Sequence, residues 1–160
     1  MKVSDILDLQ KYDLVKLPPT SLLSEAVILM AKKDIGSIVI TDSEGCLKGM
    51  LTFREVIRVL AKRQEENRSG STPTMSQINV SEVMNPTPTV TNKEMLIDVL
   101  QRLMNNCGER YLPCIENNKV VGVVSFHDVA RATLRETDFE NKMLKAYIQD
   151  WPEDSPEKNK

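Results

Sequence analysis

The sequence predicts an α/β fold of the α+β kind, made of two β-α-β-β-α units in tandem, and three observations carry that expectation. First, the chain repeats itself. Val3-Ser4-Asp5-Ile6-Leu7 returns as Val80-Ser81-Glu82-Val83-Met84, and Gly49-Met50-Leu51-Thr52-Phe53-Arg54-Glu55-Val56 returns as Gly122-Val123-Val124-Ser125-Phe126-His127-Asp128-Val129. Second, each copy holds a stretch with apolar residues at helical spacing. Third, each stretch is followed by two branched-rich runs around Gly or Asn, the pattern of a hairpin whose turn tolerates positive φ.

In chain order, short leading strands are expected at Leu14 to Leu17 and Pro88 to Thr91. Leu22, Leu23, Ala26, Val27 and Met30 form the first amphipathic helix behind Thr20 or Ser21 as cap; Leu96, Val99, Leu100, Leu103 and Met104 form its counterpart behind Thr91 or Asn92. The hairpins are Ser37 to Thr41 with Leu47 to Leu51, and Tyr111 to Ile115 with Val120 to Val124. Each copy ends in a helix, Phe53 to about Glu66 and Phe126 onward, the second longer and carrying Phe139, Met143, Ala146 and Tyr147 along one stripe that suits its own module or a second copy. The copies are expected at residues 1–66 and 80–149. A polar, breaker-rich linker at 67–79 joins them, and a frayed tail covers 150–160, with Trp151 at most a tack onto the body.

Composition narrows the function classes. At 160 residues, with 41% hydrophobic and 28% charged side chains, the chain is long enough for an ordinary core and needs no staples. A formal charge of -2 supplies no long-range attraction to nucleic acid or anionic lipid, so any anion must be held locally. Cys46, Cys107 and Cys114 fit neither a redox nor a zinc spacing and read as reduced thiols. No signal-like or membrane-length apolar stretch occurs, so the expected location is cytoplasmic, or organellar after removal of a transit peptide. The six glycines form no phosphate-cradling enzyme loop, and His127, the single histidine, has no nucleophile or fellow ligand to make it catalytic or metal-binding.

The strand-to-helix corners are where chemistry is expected. Thr52-Phe53-Arg54-Glu55 fits a capping box and needs no ligand. In Ser125-Phe126-His127-Asp128 the acid is one methylene shorter and is expected to close the box poorly, which leaves its carboxylate freer to point outward. There it can accept from two vicinal hydroxyls, while the serine and the helix-start N–H groups offer donors to an anion. Gly122 lets a ligand approach the strand backbone.

Two such copies, each with Gly-apolar-apolar-Ser/Thr-x-x-acid opening its last helix, resemble a tandem pair of CBS domains (the cystathionine-β-synthase type), a Bateman module. Arg110-Tyr111-Leu112-Pro113-Cys114-Ile115 is also similar to that family's Arg-His-Leu-Pro-Val-Val strand. The resemblance spans about Lys2 to Ile148 and, with the Phe139 to Gln149 ending, is nearest to small stand-alone two-CBS proteins. It implies two units packed about a pseudo-two-fold axis in a homodimer, without catalytic activity. Adenosine ligands (AMP first; ADP, ATP, S-adenosylmethionine or NADH) bind in clefts between the copies and regulate a partner protein. Carried over by position, it implies that Asp128 holds the ribose hydroxyls with Ser125, and that adenine lies against Val83, Met84, Tyr111, Pro113 and Val124. Arg54, His127 and Arg110 then stand near phosphate. Glu55, where the family's ribose-binding aspartate belongs, departs from the pattern, and the Thr52/Glu55 cleft is expected to be weak or empty. The alternative is a ligand-free dimeric scaffold in which both corners are only caps.

Overall fold

The computed structural model describes residues 1–11, 13–66 and 74–150. Residues 67–73 of the expected linker and 151–160 of the expected tail, Trp151 included, lie outside the described residues. The first copy contributes α1 (Val3–Leu9), β1 (Lys16–Leu17), α2 (Leu23–Lys33), β2 (Ser37–Thr41), β3 (Leu47–Thr52) and α3 (Phe53–Glu66). The second contributes a 3-10 turn at Val80–Glu82, α4 (Ile97–Cys107), β4 (Tyr111–Glu116), β5 (Lys119–Ser125) and α5 (Phe126–Gln149).

The hairpins form where turn residues interrupt the branched runs. Asn117 and Asn118 adopt φ of 51 and 62 between β4 and β5, and Gly45 adopts φ of 85 between β2 and β3. β2 and β3 pair antiparallel, and β1 joins β2 in parallel with Lys16 opposite Val39. The second sheet is the β4–β5 hairpin alone. Its expected leading strand at Pro88 to Thr91 shrinks to a single parallel bridge from Thr91 to Cys114: Pro88 has no N–H to give, and Thr89 N–H donates to Glu109 Oε2 at 2.9 Å instead of to a strand.

The helix starts also differ from the reading of the sequence. α2 is capped at Leu22 and α4 at Leu96, so Thr20, Ser21, Thr91 and Asn92 are not the caps. The Leu22 N–H is satisfied by Glu25 Oε2 at 3.2 Å, and Asn92 instead folds a turn in which its Oδ1 accepts from Glu94 N at 3.0 Å.

The two cores exchange their leading segments. Val3 and Ile6 of α1 are buried with Ile97, Leu100, Leu112, Cys114, Val124 and Val129 of the second copy. Val80, with Ile78, Val83 and Met84 beside it, packs on Leu23, Ala26, Ile38, Ile40 and Leu51 of the first. Main-chain bonds repeat the exchange: Val3 N–H donates to Met95 O at 2.9 Å, and Leu23 N–H donates to Ile78 O at 2.8 Å. A third cluster, Val39, Met50 and Val120 with Leu14, Tyr111 and Val123 against it, joins the two sheets. No helix among the described residues is long and apolar enough to cross a membrane.

Candidate functional site

Two clefts open between the copies, one at each strand-to-helix corner. The larger, about 1200 Å³, is bounded by Ser125, His127 and Asp128 at the start of α5 and by Val121, Gly122 and Val123 of β5. Leu7 and Gln10 at the end of α1, with Gly36 and Ser37 and Glu109, Arg110 and Tyr111, complete its walls. The smaller, about 670 Å³, has Thr52, Arg54, Glu55 and Arg58 on one side and Val83, Met84, Asn85, Arg110 and Tyr111 on the other.

Alternation along β5 decides what faces the larger cleft. Val120, Gly122 and Val124 are buried while Val121, Val123 and Ser125 are half-buried, so Val121 and Val123 share Ser125's face. Val124, expected against adenine, points into the core and is fully buried. The correction was legible: the side chain next to Ser125 in a strand points to the opposite face. Pro113 is also corrected, since it is buried opposite Val123 in the ladder and lines neither cleft.

Val83 and Met84 move to the other cleft. The leading-segment exchange carries them onto the first copy's sheet, where Met84 and the Asn85 backbone cover Gly49. Their counterpart beside Asp128 is Leu7, which lies on Gly122. Arg54 lines the smaller cleft too, and its Nη2 donates to Gly108 O at 3.0 Å, so it is not beside Asp128. Arg110 and Tyr111 sit on the ridge between the clefts and line both. His127 is exposed at the rim, where its Nε2 accepts from Arg131 Nη2 at 2.7 Å, since a guanidinium can only donate.

Both acids close their capping boxes. Ser125 N–H donates to Asp128 Oδ2 at 3.1 Å and Asp128 N–H donates to Ser125 Oγ at 3.0 Å. The expectation that an aspartate closes this box poorly is therefore overturned: the shorter acid reaches its cap N–H without losing the reciprocal bond. The two acids nonetheless differ in what else they serve. Glu55 is 7% exposed and its Oε2 accepts from Thr52 N at 2.7 Å and from the Thr52 hydroxyl, all within its own corner. Asp128 is half-buried, and its Oδ2 also accepts at 3.0 Å from Gln10 Nε2, a donor arriving from across the cleft. One carboxylate is spent on its helix; the other caps its helix and still faces the cleft.

The sequence reading missed Leu7, Gln10 and Val123. The signal available for Leu7 was its repeat partner Met84; nothing in the sequence places Gln10 beside Asp128. Among the described residues no group of three or more His, Cys, Asp or Glu side chains is arranged to hold a metal ion.

Comparison with known proteins agrees with this architecture. The family model of the CBS domain matches residues 3–62 and again 80–135. The CBS domain-containing protein YhcV of Bacillus subtilis (strain 168) is 32% identical over 129 residues, covering 80% of this chain and 84% of that one. Among solved structures, the CBS domain protein PAE2072 from Pyrobaculum aerophilum complexed with AMP superposes with a TM-score of 0.70 at 22% identity, covering 85% of this chain and 97% of that one. The CBS domain pair of protein MJ0100 in complex with 5-methylthioadenosine and S-adenosyl-L-methionine gives a TM-score of 0.70 at 19% identity, over 85% and 98% of the two chains. Repeat, fold and family model agree, and the chain belongs to the CBS domain family as a tandem pair of such domains.

Proposed function

We propose that the protein is a non-catalytic regulatory module that binds an adenosine nucleotide, AMP foremost, in the Asp128 cleft. The observation that carries this reading is the Asp128 carboxylate, which accepts a donor from across the cleft while still capping α5. Asp128 accepts from the ribose diol and Ser125 assists. The N-terminus of α5, with His127 and Arg110 at the rim, draws the phosphate. The base lies against Leu7, Val121, Val123 and Tyr111, the apolar walls of a cleft roomier than the roughly 300–1,000 Å³ usual for small-molecule sites. The AMP in PAE2072 and the S-adenosyl-L-methionine in MJ0100 support an adenosine compound as the ligand class. ADP and ATP remain within that class.

The working form is a homodimer in which a second copy covers the exposed apolar residues of α3 and α5, Phe53, Ile57, Leu60, Phe139, Met143 and Tyr147. Nucleotide occupancy then alters how this dimer contacts a regulated protein. A thermal-shift titration tests the binding claim. AMP, ATP or S-adenosylmethionine at about 100 times its dissociation constant adds roughly 2.7 kcal/mol of stability. No shift with any of the three favours the second reading, a ligand-free dimeric scaffold, which the closed capping boxes at both corners support.

A further inference from the structure

Gln10 caps the C-terminal end of α1 in extended backbone, with φ -68 and ψ 135. From there its side chain crosses to the second copy. Nε2 donates to Val123 O at 2.8 Å and to Asp128 Oδ2 at 3.0 Å. A primary amide nitrogen carries two hydrogens. Both are thereby committed, one to a β5 carbonyl and one to the carboxylate.

We propose that Gln10 sets the affinity of the Asp128 cleft as an internal competitor: its amide imitates the two hydroxyl donors of a vicinal diol and must leave before such a diol can bind. The proposal rests on the nucleotide reading and deepens it. Two acceptors, a carboxylate and a strand carbonyl, face the same point in the cleft, and in the resting chain one NH₂ group satisfies both. A ribose carries two O–H donors on adjacent carbons and meets the same pair. Departure of Gln10 leaves neither acceptor unpaired, because the diol takes over both bonds.

The device belongs to one cleft. In the repeat the residue matching Gln10 is Thr87, whose N–H donates to Asn85 Oδ1 at 3.1 Å and which does not line the Thr52/Glu55 cleft. Gln10 also follows directly on α1, whose Leu7 packs on Gly122, so the same segment supplies both the amide and an apolar wall of the cleft.

Calorimetric titration of AMP into wild type and Gln10→Ala decides the matter. Removal of the competitor tightens binding about tenfold or more, since one of the bonds it gives up is neutral and the other, to the Asp128 carboxylate, is charge-assisted. Equal or weaker affinity in Gln10→Ala overturns the proposal while leaving the nucleotide reading intact. If wild type binds no AMP, that reading falls in its present form; AMP binding gained by Gln10→Ala then still upholds the competitor, and no binding in either protein overturns both. An independent readout is the Gln10 side-chain amide in nuclear magnetic resonance. Its protons exchange slowly in the free protein and lose that protection when AMP saturates the cleft; an amide signal unchanged at saturation contradicts the displacement.

Discussion

Leu7, from the leading segment of the first copy, lies directly on Gly122 in the closing strand of the second: a Cβ at Gly122 would stand 2.6 Å from Leu7 Cδ2. Met84 repeats the relationship over Gly49, but there the Asn85 backbone oxygen also closes in, 2.8 Å from where a Cβ would be. The two glycines are equivalent in sequence and unequal in tolerance.

Alanine scanning of the pair measures that inequality. Gly49→Ala meets a backbone carbonyl held in place by the Met50–Asn85 bonds, both at 2.9 Å, and costs about 1–3 kcal/mol as an overpacked site. Gly122→Ala meets only the tip of a leucine side chain that can turn aside, and costs less. Urea denaturation of the two variants should rank them in that order; equal costs would contradict the packing described.

A second prediction concerns Cys114. The thiol, on β4, is fully buried in the second copy's core, and burial raises its pKa from 9.0 to about 11. At neutral pH thiol reagents should therefore modify the half-buried Cys46 and Cys107 and reach Cys114 only after unfolding. The sign of the pH dependence follows. The folded state holds the neutral form, so the contribution of Cys114 is intact below pH 9.0 and is lost as pH rises toward about 11. Denaturation midpoints of wild type minus Cys114→Ala across this window should fall with pH; a flat difference would contradict the buried thiol.

The exposed face of α5 gives a third. Phe139, Met143 and Tyr147 are each more than half exposed on the part of the helix beyond the family match, which ends at residue 135. In the proposed homodimer this face is covered by the second copy, so placing charge there, as in Phe139→Asp with Met143→Lys, should convert that dimer to a monomer in sedimentation equilibrium with the helical content unchanged. A double variant that sediments as wild type would remove α5 from the interface.

How far these features were legible depended on how local their causes are. The hairpins could be read because Gly45, Asn117 and Asn118 set the turns within a few residues, and α3 and α5 because their apolar spacing and corner residues agree. The α2 and α4 caps misled because Ser, Thr and Asn serve turns as readily as helix starts. The exchange of leading segments was invisible: duplication says which residues match, not which copy each segment packs upon. That one gap misplaced Val83 and Met84. Val124 failed for a different reason, strand parity, which a one-residue shift inverts. The two corners could be located from residue types, but the Gln10 bridge joins the first copy to the second, and no spacing announces it.

The central claim, that Asp128 serves a ligand while Glu55 serves only its helix, is tested most directly by calorimetric titration of AMP into wild type, Asp128→Ala and Glu55→Ala. Loss of charge-assisted bonds worth roughly 1.5–3 kcal/mol should weaken binding to Asp128→Ala about ten- to hundredfold, with Glu55→Ala binding as wild type does. Identical affinity in wild type and Asp128→Ala, or a loss confined to Glu55→Ala, would contradict the account.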